Sequence, residues 1–197
     1  MNRLEAEGSF QYLVNMANHY HVSKLCEPIF NDTRFILWSG SGRPGAHHYG
    51  DHGLVIHTAE VVRLCLLNNS NLGSGIDERS LFCAALFHDT GKMWDYQKDE
   101  NGWGGTLHKR KIHHISRSAL VWQSAVDSLW RLDIKVDWPP QPDVDEVLHA
   151  ILAHHGLREW GSPVAPKSKL AWMLHLCDGI SARMNDAESW DCVHDKK

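Results

Sequence analysis

The sequence predicts an all-α protein. Two observations carry this: apolar residues recur at helical spacing in six separate stretches, and no convincing alternation of apolar and polar residues marks a strand between them. A chain of 197 residues suits one domain around one core, so residues 1–197 are expected to form a single unit.

The elements follow in order. Between residues 10 and 30, Phe10, Leu13, Val14, Met16, Ala17 and Tyr20 fall at helical spacing, and Pro28 follows near the end. Residues 31–53 read as loop, with SGSGRPG and YGDHG as the clearest breakers. Residues 54–68, LVIHTAEVVRLCLLN, read as a mostly buried helix, and NNSNLGSG reads as the turn after it. Asp77 is placed to cap the next helix, ERSLFCAALFH, over about residues 78–88. The polar, Gly-rich stretch 95–112 reads as a surface loop. Residues 114–131 are amphipathic, with Ile115, Ala119, Val121, Trp122, Val126 and Trp130 on the apolar side. WPPQPD breaks the chain at 138–143, and Asp143 or Asp145 starts a helix running to about His155. The loop GLREWGSPVAPKSK leads to a last helix over about 168–187. Long loops inside a compact domain are often functional, which draws attention to 95–112 and 156–167.

Bulk properties exclude some classes. With 20 basic and 24 acidic residues the net charge is −4, which argues against coating nucleic acid through overall charge. The five cysteines, Cys26, Cys65, Cys83, Cys177 and Cys192, are odd in number and form no CxxC pair, and four lie in apolar stretches. Reduced buried thiols are the expectation. MNRLEAEGSF has no apolar signal core and no run approaches spanning length, so no membrane partner is expected and the cytoplasm is the expected location.

The 15 histidines are the unusual number, and several are paired: His47-His48, His113-His114 and His154-His155. Histidine is the commonest metal ligand. His88-Asp89 ends an apolar helix, and HDTGK places an imidazole, a carboxylate, a Gly turn and a lysine within five residues. Taken alone, an HD dipeptide is better read as an exposed helix end. His154-His155 ends another apolar helix, and Gly156 supplies the irregular turn that lets two adjacent side chains reach one ion. His57 and Asp178 each sit inside an apolar helix, where a polar group is costly unless paired or metal-bound. Either residue alone reads as a satisfied core polar group. Together the buried polar residues form an ordered set: His, His-Asp, His, His-His, Asp.

That order resembles the HD superfamily of metal phosphohydrolases. The segments HHYGDHGLVIHTAEV, ALFHDTGK, HHIS, ILAHHGLREWGSPVAPKSK and LHLCDGISARM, spread from His47 to Met184, are similar to one branch, the YhaM-type 3′→5′ exoribonucleases. The resemblance implies an HD helical bundle and a binuclear centre. His57, His88, Asp89 and Asp178 would hold one divalent ion, and Asp89 would bridge to a second held by His114, His154 and His155. Manganese, iron, cobalt or nickel suit the mixed nitrogen and oxygen donors, with zinc and magnesium as further candidates. Asp89 and Lys92 would be the catalytic pair, Lys92 stabilising charge on the phosphate. The branch pattern has a glycine where His113 stands, LDAR where ISAR stands, and an N-terminal OB-type domain for which this chain has no room.

Substrate contacts are expected from Lys92, Arg183, Lys109, Arg110, Lys111, Lys167 and His48. For Arg183 a surface salt bridge, and for Lys109-Arg110-Lys111 a solvated charged loop, are the plain alternatives. His48, with His149 and His175, also reads as a residue that orients ligands. Trp94, Trp103 and Trp160 lie in the long loops and suit either base stacking or packing. The expected activity is a phosphodiesterase, a 3′→5′ exonuclease on single-stranded RNA or DNA. The alternatives are a nucleotide phosphohydrolase and a non-catalytic ligand sensor.

Overall fold

The computed structural model describes residues 2–131 and 142–184. Among the described residues the regular structure is helical apart from one small hairpin, in agreement with the all-α expectation. The helices are α1 (Arg3–His19), α2 (Ser23–Phe30), α3 (Thr33–Leu37), α4 (Gly53–Leu72), α5 (Glu78–Phe87) and α6 (Lys92–Asp95). After the hairpin come α7 (Leu107–Lys111), α8 (His114–Arg131), α9 (Val144–Ala153) and α10 (Lys169–Met184).

The centre is α5. Every residue from Leu81 to Phe87 is fully buried, so this helix shows no polar face. It packs against α4, α8, α9 and α10, which together surround it. Asp77 caps α5, its carboxylate accepting from the Ser80 amide at 2.8 Å. The Ser80 hydroxyl in turn accepts from the Asp143 amide at 2.9 Å, and Asp143 caps α9. The two helices that end at the candidate site thus start from one hydrogen-bonded corner.

Several expectations need correction. The single helix within 10–30 is two helices, because the chain turns at Tyr20-His21, where His21 has φ 58°. Residues 31–53 contain α3, which docks Phe35 into the core. NNSNLGSG is not wholly a turn: α4 runs through it to Leu72 and stops at left-handed Gly73. The stretch 95–112 is not a plain loop. It holds α7 and an antiparallel hairpin, β1 (Tyr96–Asp99) with β2 (Gly102–Gly105), Tyr96 paired with Gly105. Trp130 is 69% exposed rather than on the packed side of α8. Residues 138–141, 185–187 and Cys192 lie outside the described residues. Cys26, Cys65, Cys83 and Cys177 are buried free thiols. No helix among the described residues is long and apolar enough to cross a membrane.

Candidate metal centre

Five segments converge. His57 lies in α4, His88 caps the end of α5 with Asp89 beside it, and His114 opens α8. His154 and His155 follow α9, and Asp178 lies in α10. Two glycines make this approach possible. A Cβ on Gly91 would stand 2.2 Å from the His114 carbonyl oxygen, so only glycine lets the start of α8 pack on the turn after Asp89. Gly156 has φ 85°, which ends α9 directly after His154-His155.

The side chains form two groups around one carboxylate. His57, His88, Asp89 and Asp178 offer donor atoms within 4.8 Å of one another, and so do His114, His154 and His155. Asp89 Oδ2 faces the first group, 3.2 Å from His57 Nε2 and 3.3 Å from His88 Nε2. Its Oδ1 faces the second, 3.4 Å from His114 Nε2 and 3.6 Å from His154 Nε2. Asp178 Oδ1 lies 3.1 Å from His57 Nε2.

The opposite nitrogens of the rings are all engaged. His88 Nδ1 donates to the Ala85 carbonyl at 2.8 Å, His154 Nδ1 to Ile151 at 2.7 Å and His155 Nδ1 to Trp160 at 2.9 Å. His114 Nδ1 lies 3.1 Å from Asp95 Oδ2, which also accepts from the His114 amide at 2.9 Å. His57 Nδ1 meets the Ser181 hydroxyl at 3.0 Å, which donates to Glu60 at 2.8 Å. These bonds turn the Nε2 lone pairs inward.

The inward atoms fit cations. Asp89 Oδ1 and His154 Nε2 are buried, and neither has a hydrogen-bond partner among the described residues. In the imidazole tautomer that places its proton on Nδ1, facing the Ile151 carbonyl, His154 presents Nε2 as an acceptor. It faces a carboxylate oxygen that is also an acceptor. Two buried lone pairs cannot satisfy each other, and a divalent ion between such donors does satisfy both.

Electrostatics agree. Burial would raise the Asp89 carboxyl, but Lys92, whose Nζ lies 2.5 Å from Oδ2, and the surrounding imidazoles hold it well below the usual range. Burial likewise opposes ionisation of Asp178, and the His57 bond overcomes it, so this carboxyl is also held down. The His57 imidazole is shifted up despite burial, because Asp178 and Asp89 bond to it. Burial pushes His155 down to about 3 and His114 down to about 4, so both keep a free lone pair near neutral pH.

A cleft of about 380 Å³ opens onto the cluster, lined among others by His47, Lys92, Lys109, His113, Asp178 and Arg183. Lys109 and Arg183 thus stand at the cleft, while exposed Arg110 and Lys111 do not line it. Lys167 lines a separate depression with His149 and Arg158, and its amide donates to His149 Nε2 at 3.0 Å. His48 is buried with Nε2 3.1 Å from Glu60 Oε2, and it reaches His57 through Glu60 and Ser181 rather than through the cleft. Trp94 has the guanidinium groups of Arg34 and Arg117 against its ring, and Trp103 is buried with its Nε1 donating to Asp51. Trp160 alone of that trio lines the cleft.

Sequence reasoning missed Asp95 and the residues behind it. Asp95 is fully buried and holds both His114 and His108, and Arg117 Nε donates to His108 Nε2 at 3.1 Å. The available signal was general: a ligating imidazole needs an acceptor for its second nitrogen. His113 has φ 68°, where glycine is at ease, and the glycine of the branch pattern at this position was the signal for it.

Comparison with known proteins adds one finding. Residues 54–183 match the family model of the HD domain, a span that holds all seven of the converging side chains. No solved structure matches the chain. With the matched span covering most of the sequence, this chain belongs to the HD domain family, whose members are generally metal-dependent phosphohydrolases.

Proposed function

We propose that this protein is a metal-dependent phosphodiesterase that removes nucleotides from the 3′ end of single-stranded RNA or DNA and releases 5′-mononucleotides. The observation that carries the hydrolytic chemistry is the split of Asp89, one oxygen toward each group of imidazole donors. His57, His88, Asp89 and Asp178 would hold one divalent ion, and His114, His154 and His155, with Asp89, a second. Ions bound there would supply Lewis acidity toward a phosphate oxygen and lower the pKa of water.

The chain's own groups do the rest. Lys92 lines the cleft with its ammonium against Asp89, placed to meet a non-bridging phosphate oxygen as a point charge. Lys109 stands over the Tyr96 ring, and Arg183 is steadied by the Gly179 carbonyl at 3.1 Å. Both present charge for phosphates adjoining the reacting one. The choice of a strand as substrate rests on the resemblance of HHGLREWGSPVAPKSK and DGISARM to the YhaM-type exoribonucleases.

A second reading, a nucleotide phosphohydrolase, is favoured by one observation: Arg110, Lys111, Lys167 and Lys169 do not line the cleft, which shortens the basic track. End-labelled RNA and DNA oligomers, beside a nucleotide panel, with manganese, cobalt, nickel and magnesium compared, separate the two. A ladder of shortened products and an affinity that falls steeply with salt are expected. Oligomers left intact under every metal, with a nucleotide dephosphorylated, would overturn the exonuclease.

A further inference from the structure

Three aromatic rings gather at the cleft, with His175 in contact with the other two. Trp160 and His175 line it, with ring centroids 6.1 Å apart and planes 30° apart. Trp172 stands beside His175 at 5.8 Å, its plane at 64°. Trp160 is 55% exposed and Trp172 49% exposed, although tryptophan is among the side chains that gain most from burial. Trp130 in α8 is also 69% exposed, so exposure alone does not mark this pair; what sets Trp160 and Trp172 apart is that both rings stand against His175 at the cleft.

The group is tied to the ligand cluster. His175 Nδ1 donates to the His154 carbonyl at 2.8 Å, and the Trp160 carbonyl accepts from His155 Nδ1 at 2.9 Å. His175 also lies flat against Gly156, where a Cβ would come within 2.5 Å of the ring. The His175 ring and the backbone of Trp160 are therefore fixed relative to two of the candidate ligands. Lys109 and Arg183 line the same cleft and supply positive charge beside them. Exposed π faces next to cations, at a cleft that opens onto the candidate ligands, match the alternation of base and phosphate in an unpaired strand.

We infer that Trp160, His175 and Trp172 form a stacking subsite for the bases adjoining the phosphodiester seated at Asp89, an inference that rests on the nucleic-acid reading above. Stacking uses the π face that every base has, so the subsite tolerates sequence and requires that the bases be unpaired. The substrate class it selects is a single strand, against both a duplex and a free phosphate ester.

The test is equilibrium binding by fluorescence anisotropy, with metal-loaded protein and labelled phosphorothioate strands that resist cleavage. One probe carries bases and the other, of equal length, is abasic. Trp160→Ala and Trp172→Ala should each weaken binding of the base-bearing strand about tenfold and leave the abasic strand unaffected. Trp160→Phe should restore most of the loss, and metal content should stay at the wild-type level. Variants that bind the base-bearing strand as wild type does, or that lose the abasic strand equally, overturn the subsite. So does a change in sedimentation without a change in strand binding, which would make this face a contact between copies of the chain. The underlying activity fails separately. Tryptophan-dependent binding of strands that no metal causes to be shortened would uphold the subsite and sink the exonuclease. Normal shortening by both alanine variants would sink the subsite alone.

Discussion

Asp89 faces both groups of imidazole donors, so its loss should differ in kind from the loss of any one histidine. Metal analysis of Asp89→Ala is expected to show both ions gone, whereas losing His57 should empty mainly the first site and losing His155 mainly the second. An Asp89→Ala protein with full metal content would refute the bridging arrangement. Lys92 calls for the opposite result. It is 7% exposed, protonated and paired with Asp89, so it cannot donate a lone pair to a metal. Lys92→Ala should keep its metal and lose turnover by about a hundredfold, the scale of one preorganised electrostatic contact. Asp95 touches no reacting atom but fixes the His114 ring through Nδ1. Asp95→Asn can donate where the carboxylate accepted, which favours the wrong tautomer. Affinity for the second ion, read by metal titration, should fall about 10- to 100-fold, with the first ion unchanged.

At the scale of elements, the join before α8 carries strain. His113 adopts left-handed backbone, which costs an L-residue roughly 1–2 kcal/mol and glycine far less. His113→Gly should therefore raise thermal stability by about 1 kcal/mol, and a lower melting temperature would show that the contact of its ring with His114 outweighs the strain. The long helices were legible in the sequence from their apolar residues, periodic in α8 and continuous in α5, and α5 and α9 also from the aspartates that cap them. Glu78–Phe87 and its Asp77 cap, and His114–Arg131, were readable to within a residue. The hairpin was not, because Gly102–Gly105 is GWGG and buries only Trp103, leaving no alternation to detect. The break between α1 and α2 was hidden for a related reason: apolar spacing continues across Tyr20-His21 while the backbone alone changes hand.

Across the whole molecule, the seven residues read from their order along the chain come together in space. That order was informative because a polar group inside an apolar helix must find a partner, and such residues are few. The residues behind them were illegible because Asp95 and His108 sit in a segment that looks like any polar loop. The basic residues were the least readable: a sequence shows that Arg110 and Lys111 are charged, and only the fold shows that Lys109 alone of the three lines the cleft. His88 and His154 each use one ring nitrogen to close a last-turn carbonyl, Ala85 in α5 and Ile151 in α9, and turn the other toward Asp89. A divalent ion held by these rings would act as a clasp on two helix ends at once, and cation and helix terminus would resist opening together. Amide hydrogen exchange in the last turns of α5 and α9 should slow when metal is added to chelator-treated protein, while α1, which carries none of these side chains, should exchange at an unchanged rate.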